Sequence, residues 1–219
     1  MVSRPTSLLL AALTLAGGPA LAAPPNLVGS GDFDFYVLTL SWSPGFCDTQ
    51  GQSRAGAQCE AGSGAGFVVH GLWPNRAFGQ DPESCTQGAY VPGSALRRAD
   101  GLYPDEGLAR YEYRKHGTCS GLDAEHYFEA VRYARDQVAL PDALLAPRAE
   151  LTMSPRALRD AFLEVNPDLG ADAVAVSCSR GELTDVRFCL SKDLDSYVAC
   201  PRVVSHGCRE SSITISPPR

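Results

Sequence analysis

Hydrophobic and polar residues are arranged along this chain with two periods. Residues 34–42 read Asp-Phe-Tyr-Val-Leu-Thr-Leu-Ser-Trp, rich in aromatic and β-branched side chains, and Ser43-Pro44-Gly45 stops the run; this predicts a strand. Phe67-Val68-Val69-His70 predicts a second, short strand ending in Gly71-Leu72-Trp73-Pro74-Asn75. Between them, residues 48–66 are largely Gly, Ala, Ser and Gln with a cysteine, Cys59, and with Cys47 just before. That composition predicts a disulfide-held loop and not a linker between domains. Turn residues and Cys85 predict a further surface excursion over 76–101. The period then lengthens. Residues 105–116 read as a helix stopped by Gly117. Asp123 is the N-cap of a helix running to about residue 138, with Tyr127, Phe128, Val131 and Ala134 on one face. Ser154-Pro155 opens another, whose stripe of Leu158, Ala161, Phe162 and Val165 ends at Asn166-Pro167. Residues 173–204 read as short alternating strands joined by turns. No regular βαβ alternation is present, so the predicted class is α+β: a mainly antiparallel central sheet flanked by helices, in a single disulfide-stabilised domain.

The first 22 residues follow neither period. They hold one positive charge (Arg4), an apolar run from Leu8 to Leu15 too short to span a bilayer, Gly17-Gly18-Pro19, and Ala20-Leu21-Ala22 at a cleavage-like site. This predicts a secretory signal peptide over 1–22 and one folded domain over 23–219. No later stretch reaches the roughly 18 apolar residues of a spanning helix, so no membrane association is expected after signal cleavage. The remaining 219 − 22 = 197 residues suffice for one core, and 44% hydrophobic with 20% charged residues sets aside collagen-like, coiled-coil and disordered classes. Without Arg4 the formal charge is 18 − 25 = −7. That is the wrong sign for a tight nucleic-acid scaffold, and an enzyme acting on a polyanion would need basic groups concentrated locally.

Eight cysteines, Cys47, Cys59, Cys85, Cys119, Cys178, Cys189, Cys200 and Cys208, allow up to four disulfides in an oxidising compartment, with 105 possible pairings. No Cys-x-x-Cys pair occurs, which disfavours structural zinc, and the carboxylate or histidine clusters of a metal-dependent phosphodiesterase are absent, so no metal or cofactor is expected. Of four histidines, His70 opens His-Gly-Leu-Trp-Pro-Asn directly after a strand, and His116 closes Glu-Tyr-Arg-Lys-His-Gly-Thr-Cys. On a helix Glu112, Lys115 and His116 share one face. Alone, such a triplet is an ordinary solvated face. Here a Cys85–Cys119 bridge would draw the two histidine segments together. Two imidazoles with an ammonium and a carboxylate suit phosphodiester cleavage in RNA: a neutral imidazole takes the 2′-hydroxyl proton, and a protonated one gives a proton to the leaving 5′-oxygen. Lys115 would stabilise charge on the phosphoryl oxygens.

The segments Phe67-Val68-Val69-His70-Gly71-Leu72-Trp73-Pro74 and Glu112-Tyr113-Arg114-Lys115-His116-Gly117-Thr118-Cys119, in this order, resemble the two active-site segments of the ribonuclease T2 family of secreted, acid-active endoribonucleases. The strand from Phe33 to Trp42 and the C-terminal cysteine pattern resemble the family as well. The resemblance implies that His70 and His116 are the acid/base pair, His116 in the base's place and His70 in the acid's, assisted by Glu112 and Lys115. It implies a base-holding role for Trp73 and pairings Cys47–Cys59, Cys85–Cys119, Cys178–Cys208 and Cys189–Cys200. Three positions depart from the family. Tyr111 stands where many members have a phosphate-binding histidine, so weaker binding with retained cleavage is expected. Tyr113 replaces a tryptophan, and Asn75 stands where some members have an aspartate that contributes to base preference. The expected protein is a monomeric, periplasmic or secreted endoribonuclease whose partner is its RNA substrate. The competing reading is a catalytically weakened RNA-binding or toxin-like module on the same scaffold. A serine hydrolase is disfavoured, because Ala61 and Ala65 occupy the outer positions of the Gly-x-Ser-x-Gly pattern around Ser63. His126 and His206 read as structural or solvent-exposed.

Overall fold

A computed structural model describes residues 24–50 and 56–219; the expected signal segment 1–22 lies outside the described residues. Strand β1 (Phe35–Trp42) is buried along its whole length. Its even-numbered side chains, Tyr36, Leu38, Leu40 and Trp42, belong to the main core with Tyr127, Phe128, Phe162 and Phe188. On the opposite face Phe35 and Val37 join Cys189 and Cys200 in a smaller cluster, beside which Trp73 packs. A strand covered on both faces needs the near-continuous apolar run seen here.

Strand β1 lies between β2 (Phe67–Asn75) and β5 (Glu182–Ser191), antiparallel to both. Strand β4 (Val174–Ser179) also pairs antiparallel with β5, and the sheet order β2-β1-β5-β6-β3 is completed by β6 (Ile213–Ile215) and β3 (Leu151–Met153). The β5–β6 contact, Glu182 with Thr214, is parallel. The sheet is therefore mainly antiparallel, with helices packed against it.

Helix α1 (Ser43–Thr49) begins where β1 was expected to give way to a loop. Pro44 does end the strand, but proline is also pre-organised for the first turn of a helix. Gly45 lets this helix approach β5, since a Cβ there would collide with the Leu183 carbonyl. The surface excursion over 76–101 contains a second unpredicted helix, α2 (Gly93–Ala99). The expected helices are α3 (Glu106–Lys115), α4 (Ala124–Asp136) and α6 (Pro155–Val165), with the four-residue α5 (Asp142–Leu145) between the last two. Asp105, Asp123 and Ser154 cap α3, α4 and α6 by accepting from the Leu108, His126 and Ala157 amides at 2.9, 3.0 and 3.1 Å. Helix α7 (Pro201–Ser205) interrupts the segment read as strands and again starts on proline.

Strand β2 runs five residues past His70, because pairing with β1 carries Gly71-Leu72-Trp73-Pro74-Asn75 along in the sheet. Its register shifts once: Leu40 faces Val69 and Thr39 faces Gly71, so His70 is the extra residue of a β-bulge. A bulge re-aims side chains. Here it lets Val69 and Leu72 enter the core while His70 and Trp73, three residues apart, point to the other side.

Four disulfides join Cys47 to Cys59, Cys85 to Cys119, Cys178 to Cys208 and Cys189 to Cys200. Cys85–Cys119 closes a 34-residue separation and ties the loop before α2 to the turn after α3. By loop-closure entropy, the double substitution Cys85→Ala/Cys119→Ala should lower stability by about 3–4 kcal/mol. Urea unfolding of the oxidised protein beside the variant checks this, and an unchanged midpoint would contradict it.

Candidate active site

The bulge on β2 and the last turn of α3 meet at Gly71. A Cβ on this residue would fall on the Glu112 carboxylate and the Trp73 indole, so glycine leaves the space in which that carboxylate sits. Glu112 is fully buried. Its Oε2 accepts a hydrogen bond from Trp73 Nε1 at 2.7 Å, while Oε1 accepts none and lies 3.6 Å from His70 Nε2. The other ring nitrogen of His70, Nδ1, is 3.4 Å from Ser41 Oγ on β1. His116 is the C-cap of α3, and its amide donates to the Glu112 carbonyl at 2.8 Å. Both imidazoles pack on the same indole, with ring centroids 5.3 Å (His70) and 5.2 Å (His116) from that of Trp73.

Loop 81–85 forms one wall. Ser84 N donates to the Lys115 carbonyl at 2.6 Å, Glu83 lies 3.4 Å from Lys115 Nζ, and Asp81 pairs with Arg202 of α7. With Cys85–Cys119, these contacts hold the loop against the end of α3. The cleft encloses about 940 Å³ and is lined by His70, Trp73, Glu112, Lys115 and His116.

Burial dominates the electrostatics. It pushes the Glu112 carboxyl from 4.5 up to about 7, against the opposing pull of the Trp73 hydrogen bond and the Lys115 charge. It pulls His116 from 6.5 down to about 3, with Lys115 and His70 adding repulsion. Burial also opposes the charge on Lys115, but Glu83 and Tyr111 outweigh it and raise its pKa.

The four residues expected to carry the chemistry, His70, Glu112, Lys115 and His116, are thus brought together. Trp73, expected to hold a base, lies inside this cluster with its N–H committed to Glu112. Asn75 is buried at the end of β2, lines the cleft, and donates its amide to the Trp73 carbonyl at 3.2 Å. Tyr111 is exposed at the rim, 5.8 Å from Lys115 Nζ to its ring centroid. Ser41, Asp81, Glu83, Arg187 and Arg202 also line the cleft, and sequence patterning singled out none of them. Ser41 and Arg187 arrive through strand pairing; the acids sit in an unpatterned loop. His206, read as structural or exposed, lies on the cleft wall. His126 is outside, bound to Asp123 at 2.9 Å. Among the described residues no cluster of His, Cys, Asp or Glu is placed to hold a metal, and no helix is long and apolar enough to cross a membrane.

A model of the ribonuclease T2 family matches residues 33–200. A ribonuclease of Aeromonas hydrophila is 40% identical over 115 residues, which cover 52% of this chain and 51% of that protein. A probable ribonuclease of Haemophilus influenzae (strain ATCC 51907 / DSM 11121 / KW20 / Rd) is 34% identical over 125 residues, 52% of this chain and 46% of that protein. The chain thus matches about half the length of these two relatives. Among solved structures, RNase NT in complex with 5′-AMP superposes with a TM-score of 0.64 at 24% identity, covering 85% of this chain and 98% of that one, a likeness of fold.

The two perturbed groups act oppositely on stability. Folded Glu112 binds its proton more tightly than the unfolded chain does, so its contribution falls as pH rises from 4.5 to about 7. Folded His116 binds its proton less tightly, so stability falls as pH drops from 6.5 to about 3. Glu112→Gln removes the first effect. It should stabilise the fold by about 1–3 kcal/mol near pH 8 and by nothing near pH 4. Urea unfolding at both pH values checks this; a variant less stable than the parent at the higher value would contradict it.

Proposed function

Because this chain belongs to the ribonuclease T2 family, we propose that it is an endoribonuclease that cleaves single-stranded RNA through the ribose 2′-hydroxyl. The observation that carries this reading is the placement of two imidazoles, one buried carboxylate and one ammonium around a single indole. The 2′-oxygen attacks the adjacent phosphorus, the bond to the 5′-oxygen breaks, and a 2′,3′-cyclic phosphate and a free 5′-hydroxyl result. Water then opens the cyclic ester to a 3′-phosphate.

His116 is the base. Held near 3, it stays neutral across weakly acidic pH and is ready to accept the 2′-hydroxyl proton. His70 is the acid that protonates the leaving 5′-oxygen, and its Nε2 lies 3.6 Å from Glu112 Oε1. Lys115 meets the charge that develops on the non-bridging oxygens, and Glu83 holds its ammonium in place. No step needs a metal. Trp73 holds Glu112 and spaces the two imidazoles. Tyr111 brings no cation to the rim, which leaves the phosphate to Lys115 and the histidines.

Low base specificity is part of this reading, and Asn75 commits one amide N–H to the Trp73 carbonyl. The enzyme acts as a monomer outside the cytoplasm, in the periplasm or beyond, where four disulfides persist.

Cleavage of a short RNA at weakly acidic pH should persist in excess EDTA and stop when the sole reactive linkage carries a 2′-deoxyribose. Cleavage of the deoxy substrate, or loss of activity in EDTA, would sink the mechanism. His116→Ala and His70→Ala should each lower kcat/KM by about 10²-fold or more; near-parental turnover in either removes that residue from its role.

A further inference from the structure

Past Trp73 the cleft does not close. It opens into a smaller polar depression of about 450 Å³, and Gln50, Thr184, Asp185, Arg187 and His206 line both spaces. Arg187 stands at the junction. It is paired with Thr39 on β1, which on its other side pairs with Gly71, so the three strands carry it to the same face of the sheet as Trp73. Its Nε donates to Asp185 Oδ1 at 2.8 Å, and its guanidinium carbon is 5.8 Å from the Trp73 ring centroid. Among the described residues its two terminal NH2 groups meet no acceptor.

The other cations of the cleft are committed. Lys115 faces Glu83, and Arg202 donates to the carbonyls of Gly79 and Arg76 and to Asp81. Among the described residues of the cleft, Arg187 alone presents an open guanidinium fork, the geometry that grips two oxygens of a phosphate. Beyond it, Arg209 and Glu210 line the depression. That segment is fixed to β4 by Cys178–Cys208 and by the Cys208 amide, which donates to the Val176 carbonyl at 2.7 Å.

We infer that Arg187, with Arg209 beyond it, forms a subsite for an RNA phosphate outside the scissile linkage, so that the strand continues from the cleft into the adjoining depression. The inference rests on the nuclease reading. Asp185 fixes the fork's direction, and Glu210 at the far rim limits how tightly the strand is held.

The test uses a labelled 2′-O-methyl hexanucleotide, which cannot be cleaved, beside the corresponding dinucleotide, with binding followed by anisotropy against salt. The full chain should bind the hexamer more tightly. Arg187→Gln and Arg209→Gln should each narrow the hexamer-to-dimer ratio by about three- to tenfold and lower the salt slope by about 0.7. Arg209 is exposed, so its variant stays informative if Arg187→Gln folds poorly, and Arg187→Lys should recover part of the loss. An unchanged ratio and slope in Arg209→Gln and in a folded Arg187 variant overturns the subsite, as does a parent that binds both lengths equally. The nuclease reading is scored separately by cleavage of an all-ribose dinucleotide: hexamer binding that responds to the variants without such cleavage would leave the subsite standing and remove the enzyme.

Discussion

One hydrogen bond, from the Trp73 indole to the buried Glu112 carboxylate, organises this molecule's candidate site. It joins the end of β2 to the last turn of α3, and three local features must coincide for it to form. Gly71 must leave the space the carboxylate fills. The bulge must put His70 and Trp73 on one side of β2 although they are an odd number of residues apart. The end of α3 must be held against the neighbouring loop, which Cys85–Cys119 and the Ser84-to-Lys115 backbone bond achieve. With these met, His116 reaches the indole from the helix end and His70 from the strand. The two imidazoles are then set by packed elements on either side of the cleft and not by a mobile loop.

The same burial that gives this precision works against the charges involved. A carboxylate with one hydrogen bond and one empty oxygen is poorly solvated, and an imidazole beside an ammonium and a second imidazole resists protonation. Both groups are therefore displaced toward their neutral forms. For a base that is useful, because it stays unprotonated where its partner must be protonated. For the fold it is a cost that the apolar core on the other face of β1 must offset. In the proposed mechanism an incoming phosphate would change the balance: its negative charge favours protonated His116, which would stabilise the proton taken from the ribose.

Much of this was legible in the chain, for identifiable reasons. Strand β1 was readable because burial on both faces demands a near-continuous apolar run, and α3, α4 and α6 because Asp105, Asp123 and Ser154 mark their starts. Glu112, Lys115 and His116 stood out as a candidate group because their i, i+3 and i+4 spacing puts them on one helix face, whereas His70, 46 residues before His116, was joined to them by the resemblance of its segment. Helices α1 and α7 were missed because proline after a strand or a cysteine reads equally well as a stop and as a first helical residue. The extension of β2 was missed because Gly71 and Pro74 are poor strand formers and the segment is held by its partner, a tertiary effect. The bulge itself left no trace, since it exists only as a register difference between two strands. Ser41 and Arg187 escaped for the same reason: each is one polar residue in a strand, and only pairing places it.

The net charge poses a question that the cleft answers. A chain of formal charge −6 should repel RNA, yet Lys115, Arg187 and Arg202 all line the cleft, each with a carboxylate beside it, Glu83, Asp185 or Asp81. Such pairs add little net attraction. What they supply is direction, because a cation already anchored on one side loses less freedom when a phosphate arrives on the other. Of the three, Lys115 and Arg202 are held by the loop that also closes the wall, whereas Arg187 keeps its outer donors open. The cleft is thus suited to positioning a phosphodiester without retaining the strand, which is what turnover on a long polyanion requires: affinity gained equally by substrate and transition state would slow release without lowering the barrier.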